Sequence, residues 1–404
     1  MKSLVKVGLG ILTSIGGFLE AGSIGTALQA GATFRYGLLW ALALGTICIA
    51  FLTEMTGRLA AVSHHTVIDA MRTRFGVSFQ VWPLGAQVIV DLLVLASEIG
   101  GASLALELAT GVSLRVWAVP VTLIIWSLLW FGTFNAIEHG VALLGLVTLC
   151  FVVAVIELGP EWRAVAAGLI PQRAPADGAQ YAYLAVGILG ASISPYLVSF
   201  YSSGAVEEEW KTSDLGMNRV VSALGMGFGS LVAISVMIAA ALVLAPRGIT
   251  ADSYQQAATV LSIPLGRWGL PLFCASLAIG CLGAALELSL DLSYILAQSF
   301  GWEWGENKRP AEEARFALTY TIALALASVP SLAGIDPLRL TMFSMAITVV
   351  ALPLLVGPLI VVMNDKEYLK RHTNGFVTNV AVIVIIGVAF VLALLAIPVQ
   401  WLAS

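Results

Sequence analysis

Charge is scarce in this sequence. Of 404 residues only 11% are Asp, Glu, Lys or Arg, while 59% are hydrophobic. A soluble domain carries about a quarter charged residues, so the composition excludes a water-solvated globule and points to lipid as the solvent. Histidine is scarcer still. The four present, His64, His65, His139 and His372, fall in loops or at the ends of apolar runs. With none in mid-run and no HExxH, the Ser/His and zinc machinery of an intramembrane protease has no foothold. The four cysteines, Cys48, Cys150, Cys274 and Cys281, form no CxxC pair, which argues against a zinc or redox site and leaves no cofactor implied. Nor is there a nucleic-acid-type basic region or a long polar linker, so the chain reads as one membrane domain over 1–404.

What is present in abundance is apolar sequence in lengths of about 20 residues, the length that spans a bilayer as a helix. Eleven such runs are expected near 6–30, 37–62, 84–110, 116–134, 140–158, 180–204, 217–245, 268–298, 316–334, 339–363 and 376–402. A transmembrane β-barrel would instead show short alternating segments. The fold class is therefore an all-α polytopic membrane protein. The first run is too long for a signal-peptide core. Placing the N-terminus inside puts thirteen of the twenty Lys/Arg residues on that side, with Arg72 and Arg74, Lys308, Arg309 and Arg315, and Lys366, Lys370 and Arg371 in its richest loops. The positive-inside rule then predicts a cytoplasmic N-terminus and an external C-terminus, in a bacterial plasma membrane.

Two of the runs are interrupted. The first, "SIGGFLEAGSIGTALQAG" over 14–31, holds a single acid, Glu20, among Gly16, Gly17 and Gly22. The sixth, "AVGILGASISPYLVSFYSSG" over 185–204, is broken by Gly187, Gly190 and Pro195 and offers the hydroxyls of Ser192 and Ser194. Glycines at helix contacts need only mean close packing. Two interrupted helices five spans apart, one bearing an intramembrane acid, indicate instead a binding site between inverted repeats, about 6–158 and 180–363, with an additional helix at 376–402. Freed backbone groups survive in a membrane only when they face protein or a cavity.

These segments resemble the Nramp family of proton-coupled divalent-metal transporters. The family's D-P-G-N followed by Q-A-G-A is matched by Glu20-Ala21-Gly22-Ser23 and Gln29-Ala30-Gly31-Ala32, and its G-A-T-x-M-P-H by Gly190-Ala191-Ser192-Ile193-Ser194-Pro195-Tyr196. "RYGLLW" at 35–40, Glu98-Ile99-Gly100 and "LPLLVGPLIVVMNDKEYL" over 352–369 are further echoes in the same order. The resemblance implies the LeuT-type fold with broken helices one and six. It also implies ion-binding positions at Glu20, Gly22, Ser23, Ser192, Ser194 and Tyr196, with Glu20, Ser23 and Ser194 as the metal-ligating set.

The departures fall on the chemistry. Ser194 stands where the family carries a methionine, Ser23 where it carries an asparagine, and Ala351 where the tenth helix carries a glutamine. The remaining donors are then all oxygens, including carbonyls near Phe18, Leu19 and Ser192. Such a set suits hard ions such as Mg²⁺ or Mn²⁺ and is similar to that of the Nramp-related magnesium transporters. Leu95, Tyr196, Tyr201 and Tyr320 occupy positions where the resemblance calls for titratable groups, so transport without proton coupling is expected. Glu98, Tyr201, Glu287 and Asp291 are candidate pathway residues; Glu98 shares a helix face with Asp91, and Glu287 lies four residues before Asp291. Glu54 and Arg58 have the spacing of a local ion pair. Two other readings stand beside the cation. Serines, tyrosines and half-helix N-termini also suit an anion such as bicarbonate or a small organic solute. An intramembrane enzyme is the reading outside the transporter class.

Overall fold

The apolar runs become helices in the computed structural model, which describes residues 20–132, 140, 143–171, 177–305, 308 and 310–403. Among these residues there is no strand. Nine helices are long and apolar enough to cross a membrane. The part of the first span before Glu20, with Gly16, Gly17, Phe18 and Leu19, lies outside the described residues, as do His139 and Arg309.

The described chain opens with Glu20 in extended conformation, φ −109° and ψ 172°, followed at once by helix α1, Ala21–Phe34. Then come α2 (Leu39–Ser63), a short helix α3 (Val67–Phe75), the long α4 (Val77–Thr110) and α5 (Leu114–Phe131). The fifth span departs from expectation. Among its described residues, Leu146–Leu149 wind as a tighter 3₁₀ turn between α-helical residues 143–145 and α6, Cys150–Leu158. Glu54 and Arg58 form the expected pair near the end of α2, at 3.0 Å, and Arg58 also donates to Asn374.

The sixth span is two helices, α7 (Gly178–Ser192) and α8 (Pro195–Glu207). The break follows from Pro195. Proline has no N–H to donate, and it pushes the preceding residue out of the helical region. Ser194 accordingly sits at ψ 121°, and Pro195 becomes the first residue of the next helix, where its missing donor costs nothing. The remaining long helices are α9 (Leu215–Val243), α10 (Gly269–Phe300), α11 (Ala314–Ala333), α12 (Pro337–Met363) and α13 (Phe376–Ala403). Asp336 caps α12 by accepting the N–H of Arg339 at 2.9 Å.

Helix α4 lies at the centre, packed along α10, α12, α11 and α5, while α1 is held by α9, α7 and α12. Small residues let these backbones approach. A Cβ on Gly31 would stand 2.2 Å from the carbonyl oxygen of Met237 in α9, and one on Gly190 would stand 2.2 Å from that of Met345 in α12. In lipid, where helices gain nothing by hiding apolar surface from one another, such contact is what holds a bundle together. The glycines of the Q-A-G-A and G-A-S segments are thus packing surfaces that fix α1 and α7 against their neighbours. Helix α13 lies outside the bundle against α7, α12 and α2, with Val377, Val380 and Val384 on its open side.

Candidate ion site between the broken helices

Glu20, at the start of α1, reaches the break between α7 and α8. The Ser194 hydroxyl donates to its Oε1 at 3.2 Å, and the Tyr196 hydroxyl lies 3.3 Å from its Oε2. All three residues are buried. Ser194 precedes α8 and Tyr196 is the second residue of it, so the carboxylate faces the positive N-terminal end of a helix. The same Ser194 hydroxyl stands 3.2 Å from the carbonyl oxygen of Ala191, in the last turn of α7, where the helix leaves carbonyls without intrahelical partners. One carboxylate, one hydroxyl and one freed carbonyl therefore meet at a single point.

Helix α12 contributes a side chain absent from the oxygen-only set. A methyl group placed on Gly22 would stand 2.9 Å from Glu20 Oε1, 2.9 Å from Met345 Sδ and 2.7 Å from Met345 Cε. The glycine is thus the gap through which a carboxylate and a thioether converge. Met345 is fully buried. The tenth span meets the site through Met345 rather than through Ala351, which lies six residues on and is turned by about 240° around the helix. The structure thus sets a sulfur beside the oxygens expected from the sequence. A signal was available: Met342 and Met345 are three apart, and Met342 packs its methyl group 2.9 Å from where a Cβ on Gly187 would stand.

Of the other expected site residues, Ser23 lies buried in the first turn of α1. Ser192 turns its side chain to α2, where it fills the space beside Gly45: its Cβ lies 2.3 Å and its Oγ 2.8 Å from the position of a Cβ there. Its hydroxyl is therefore a packing group against α2. Tyr201, two turns beyond the break, donates to Asn218 Oδ1 at 3.0 Å, well away from Glu20 in sequence and partners. Tyr320 is buried in α11.

Glu98 has a defined local task. Both of its oxygens accept the N–H of Ala21, at 3.1 and 3.0 Å, closing the N-terminus of α1 from the neighbouring helix α4. The Cys281 thiol of α10 is within hydrogen-bonding reach of the same carboxyl. An acid at a helix start satisfies donors that have no partner inside the helix and matches the positive end of the dipole. On the other side, the Tyr254 hydroxyl donates to the Ala21 carbonyl at 2.8 Å. These two contacts fix the residue next to Glu20 from both of its backbone groups. Glu287 of α10 is half-buried and close enough for its charge to act on both Glu20 and Tyr196. Asp291 lies one turn further on, bonded to Gln87 of α4 at 3.0 Å and to Ser199 of α8 at 2.9 Å.

A broken helix in a membrane bundle, its break faced by the N-terminus of α1, is the architecture of LeuT-type transporters. The chain belongs to the natural resistance-associated macrophage protein-like (Nramp) family, whose model matches residues 10–398. It is 30% identical over 394 residues to the divalent metal cation transporter MntH 1 of Pseudomonas aeruginosa, covering 92% of this chain and 86% of that one. To the divalent metal cation transporter MntH of Ralstonia nicotianae it is 27% identical, covering 94% of this chain and 87% of the relative. The fold matches a crystal structure of the Eremococcus coleocola manganese transporter with a TM-score of 0.80 at 19% identity, over 98% of this chain and 87% of that one. Mhp1, a nucleobase-cation-symport-1 family transporter, shares the architecture with a TM-score of 0.63 at 15% identity, over 98% and 92% of the two chains. The chain is an integral, multi-pass transporter and not an enzyme, and the fold is the LeuT type.

Proposed function

We propose that this protein carries a divalent metal cation across the membrane by alternating access, and that it prefers Mn²⁺ to Mg²⁺. The observation that carries the reading is the convergence of Glu20 Oε1 and Met345 Sδ on the space above Gly22. A carboxylate supplies the negative charge a dication requires. A thioether is a soft donor that strengthens binding of transition metals and adds nothing for Mg²⁺ or Ca²⁺. Ser194 Oγ and the Ala191 carbonyl complete a mixed oxygen and sulfur set, with Tyr196 holding the second carboxylate oxygen. Ser23, in the first turn of the same half-helix, belongs to the wall of this site; Gly22 is its floor. The names of the family relatives, divalent metal cation transporters, accord with this chemistry.

The anion and organic-solute readings fit less well. An anion would meet the Glu20 carboxylate head-on, and among the described residues no Lys or Arg forms an ion pair with that carboxylate to relieve it. In the membrane we place the N-terminus in the cytoplasm and the C-terminus outside, with the domain read as repeats near 6–158 and 180–363 and an added helix at 376–402. Leu95, Tyr196, Tyr201 and Tyr320 offer no readily exchanged proton near neutral pH, and the membrane voltage contributes about 2.3 kcal/mol per charge per 100 mV to entry of the cation.

Metal-dependent thermal unfolding tests the reading. Mn²⁺ should raise the unfolding temperature by a term that grows with its concentration, and Glu20→Ala should remove the shift. A protein stabilised by bicarbonate or an amino acid and indifferent to Mn²⁺ would refute it.

A further inference from the structure

Asp91 of α4 and Asp291 of α10 are both fully buried, and their carboxyl groups are within hydrogen-bonding reach of each other. Their donors are few. Gln87 Nε2 and Ser199 Oγ both bond Asp291 Oδ2, at 3.0 and 2.9 Å, and Gln87 Nε2 bonds Ser199 Oγ at 2.7 Å. No donor is aligned to give a well-formed hydrogen bond to either oxygen of Asp91 or to Oδ1 of Asp291. Among the described residues no Lys, Arg or His forms an ion pair with either acid.

Two carboxylates in contact and shielded from water cannot both keep their charge, and a buried acceptor without a donor is costly. A single proton between them answers both demands: it cancels one charge and supplies the missing donor. Space lies beside the pair on the α3 side. A cavity is lined by Gln87 and Ser199, the two residues that bond Asp291, and by Ile68 and Met71 of α3 and Pro195 and Val198 of α8. Asp91 precedes Glu98 by seven residues, so the pair lies about 10 Å along α4 from the α1 cap, on the side of α3. The groups facing it are acids or neutral. Glu287 is one turn earlier on α10, Glu98 two turns later on α4, and Glu20 acts on Asp91 from α1, while α8 presents Ser199 and Tyr196. None of these supplies a positive charge.

We propose that the Asp91–Asp291 pair is a proton-binding site, which takes up one proton as one carboxyl O–H bond and releases it toward the α3 face in each transport cycle. It lies outside Leu95, Tyr196, Tyr201 and Tyr320, and it supplies a titratable group that those positions lack. The inference rests on the cation reading above, and the experiment separates the two. The full chain is reconstituted in liposomes holding one dye for Mn²⁺ and one for pH, with the voltage clamped by valinomycin and K⁺. External Mn²⁺ should enter and acidify the lumen together. In Asp91→Asn and Asp291→Asn, the ratio of protons to Mn²⁺ entering should fall at least fivefold. Ser199→Ala keeps both carboxyls and removes one donor from Asp291, and should move the pH profile of acidification to higher pH. Entry of Mn²⁺ with no acidification in the unaltered protein would overturn the proton site and leave the metal reading intact. So would acidification at an unchanged ratio in both Asn variants, an unmoved profile in Ser199→Ala, or coupling to Na⁺ in place of protons. A silent Mn²⁺ dye beside a working pH dye would instead overturn the metal reading.

Discussion

Replacing Met345 by leucine isolates the sulfur. The side chain is fully buried, so truncation to alanine would open a cavity and cost about 2–5 kcal/mol of stability, obscuring any effect on the ion. Leucine conserves volume, and such swaps cost less than about 1.5 kcal/mol in a packed interior. What it removes is one soft donor 2.9 Å from the position a methyl on Gly22 would take, beside Glu20 Oε1. Even groups that only orient a metal's ligands are worth about 10–100-fold in affinity, so a direct donor should cost at least the lower end of that range, about 1.4 kcal/mol. The expected outcome is a Kd for Mn²⁺ at least tenfold higher, with Mg²⁺ binding unchanged and the selectivity ratio falling by the same factor. Isothermal titration of both ions on purified protein, with thermal unfolding to verify the fold, measures this. A folded Met345→Leu protein with an unaltered Mn²⁺ to Mg²⁺ ratio would refute the assignment of the thioether to the site.

Two alanine substitutions at glycine should part company. At Gly22 the new methyl meets only the flexible ends of Met345 and Glu20, so Gly22→Ala should fold and lose Mn²⁺-dependent stabilisation. At Gly190 it meets the α12 backbone at the Met345 carbonyl, so Gly190→Ala should lower stability by about 1–3 kcal/mol, seen as a lower unfolding temperature with or without metal. Glu98→Gln keeps an oxygen for the Ala21 N–H and gives up the charge at the start of α1. It should lower stability by about 1 kcal/mol and weaken Mn²⁺ binding through Glu20, and a variant with an unchanged melting curve would count against the capping role.

Much of the architecture was written in one dimension. Apolar runs of spanning length can be only helices in lipid, because no water is there to satisfy an open backbone. Pro195 forced the break in the sixth span wherever the neighbours lay. Glu20 stood out because an acid in an otherwise uncharged run must have a reason. The sequence therefore carried the helices, the break and the lone carboxylate.

It did not carry the partners. Met345 is unremarkable on an apolar helix, and it comes beside Glu20 because Gly190 seats α7 on the α12 backbone and Gly22 leaves room beneath Glu20. Ser192 and Ser194 look equivalent in the chain, yet a two-residue step across the break turns one toward Gly45 and the other toward Glu20. Asp91 and Asp291 are separated by 200 residues and meet only because α4 and α10 pack along one another. Periodicity and residue chemistry are local and survive in a linear string. Which side chains share a point in space is fixed by how helices cross, and that is set by contacts between residues far apart in the chain.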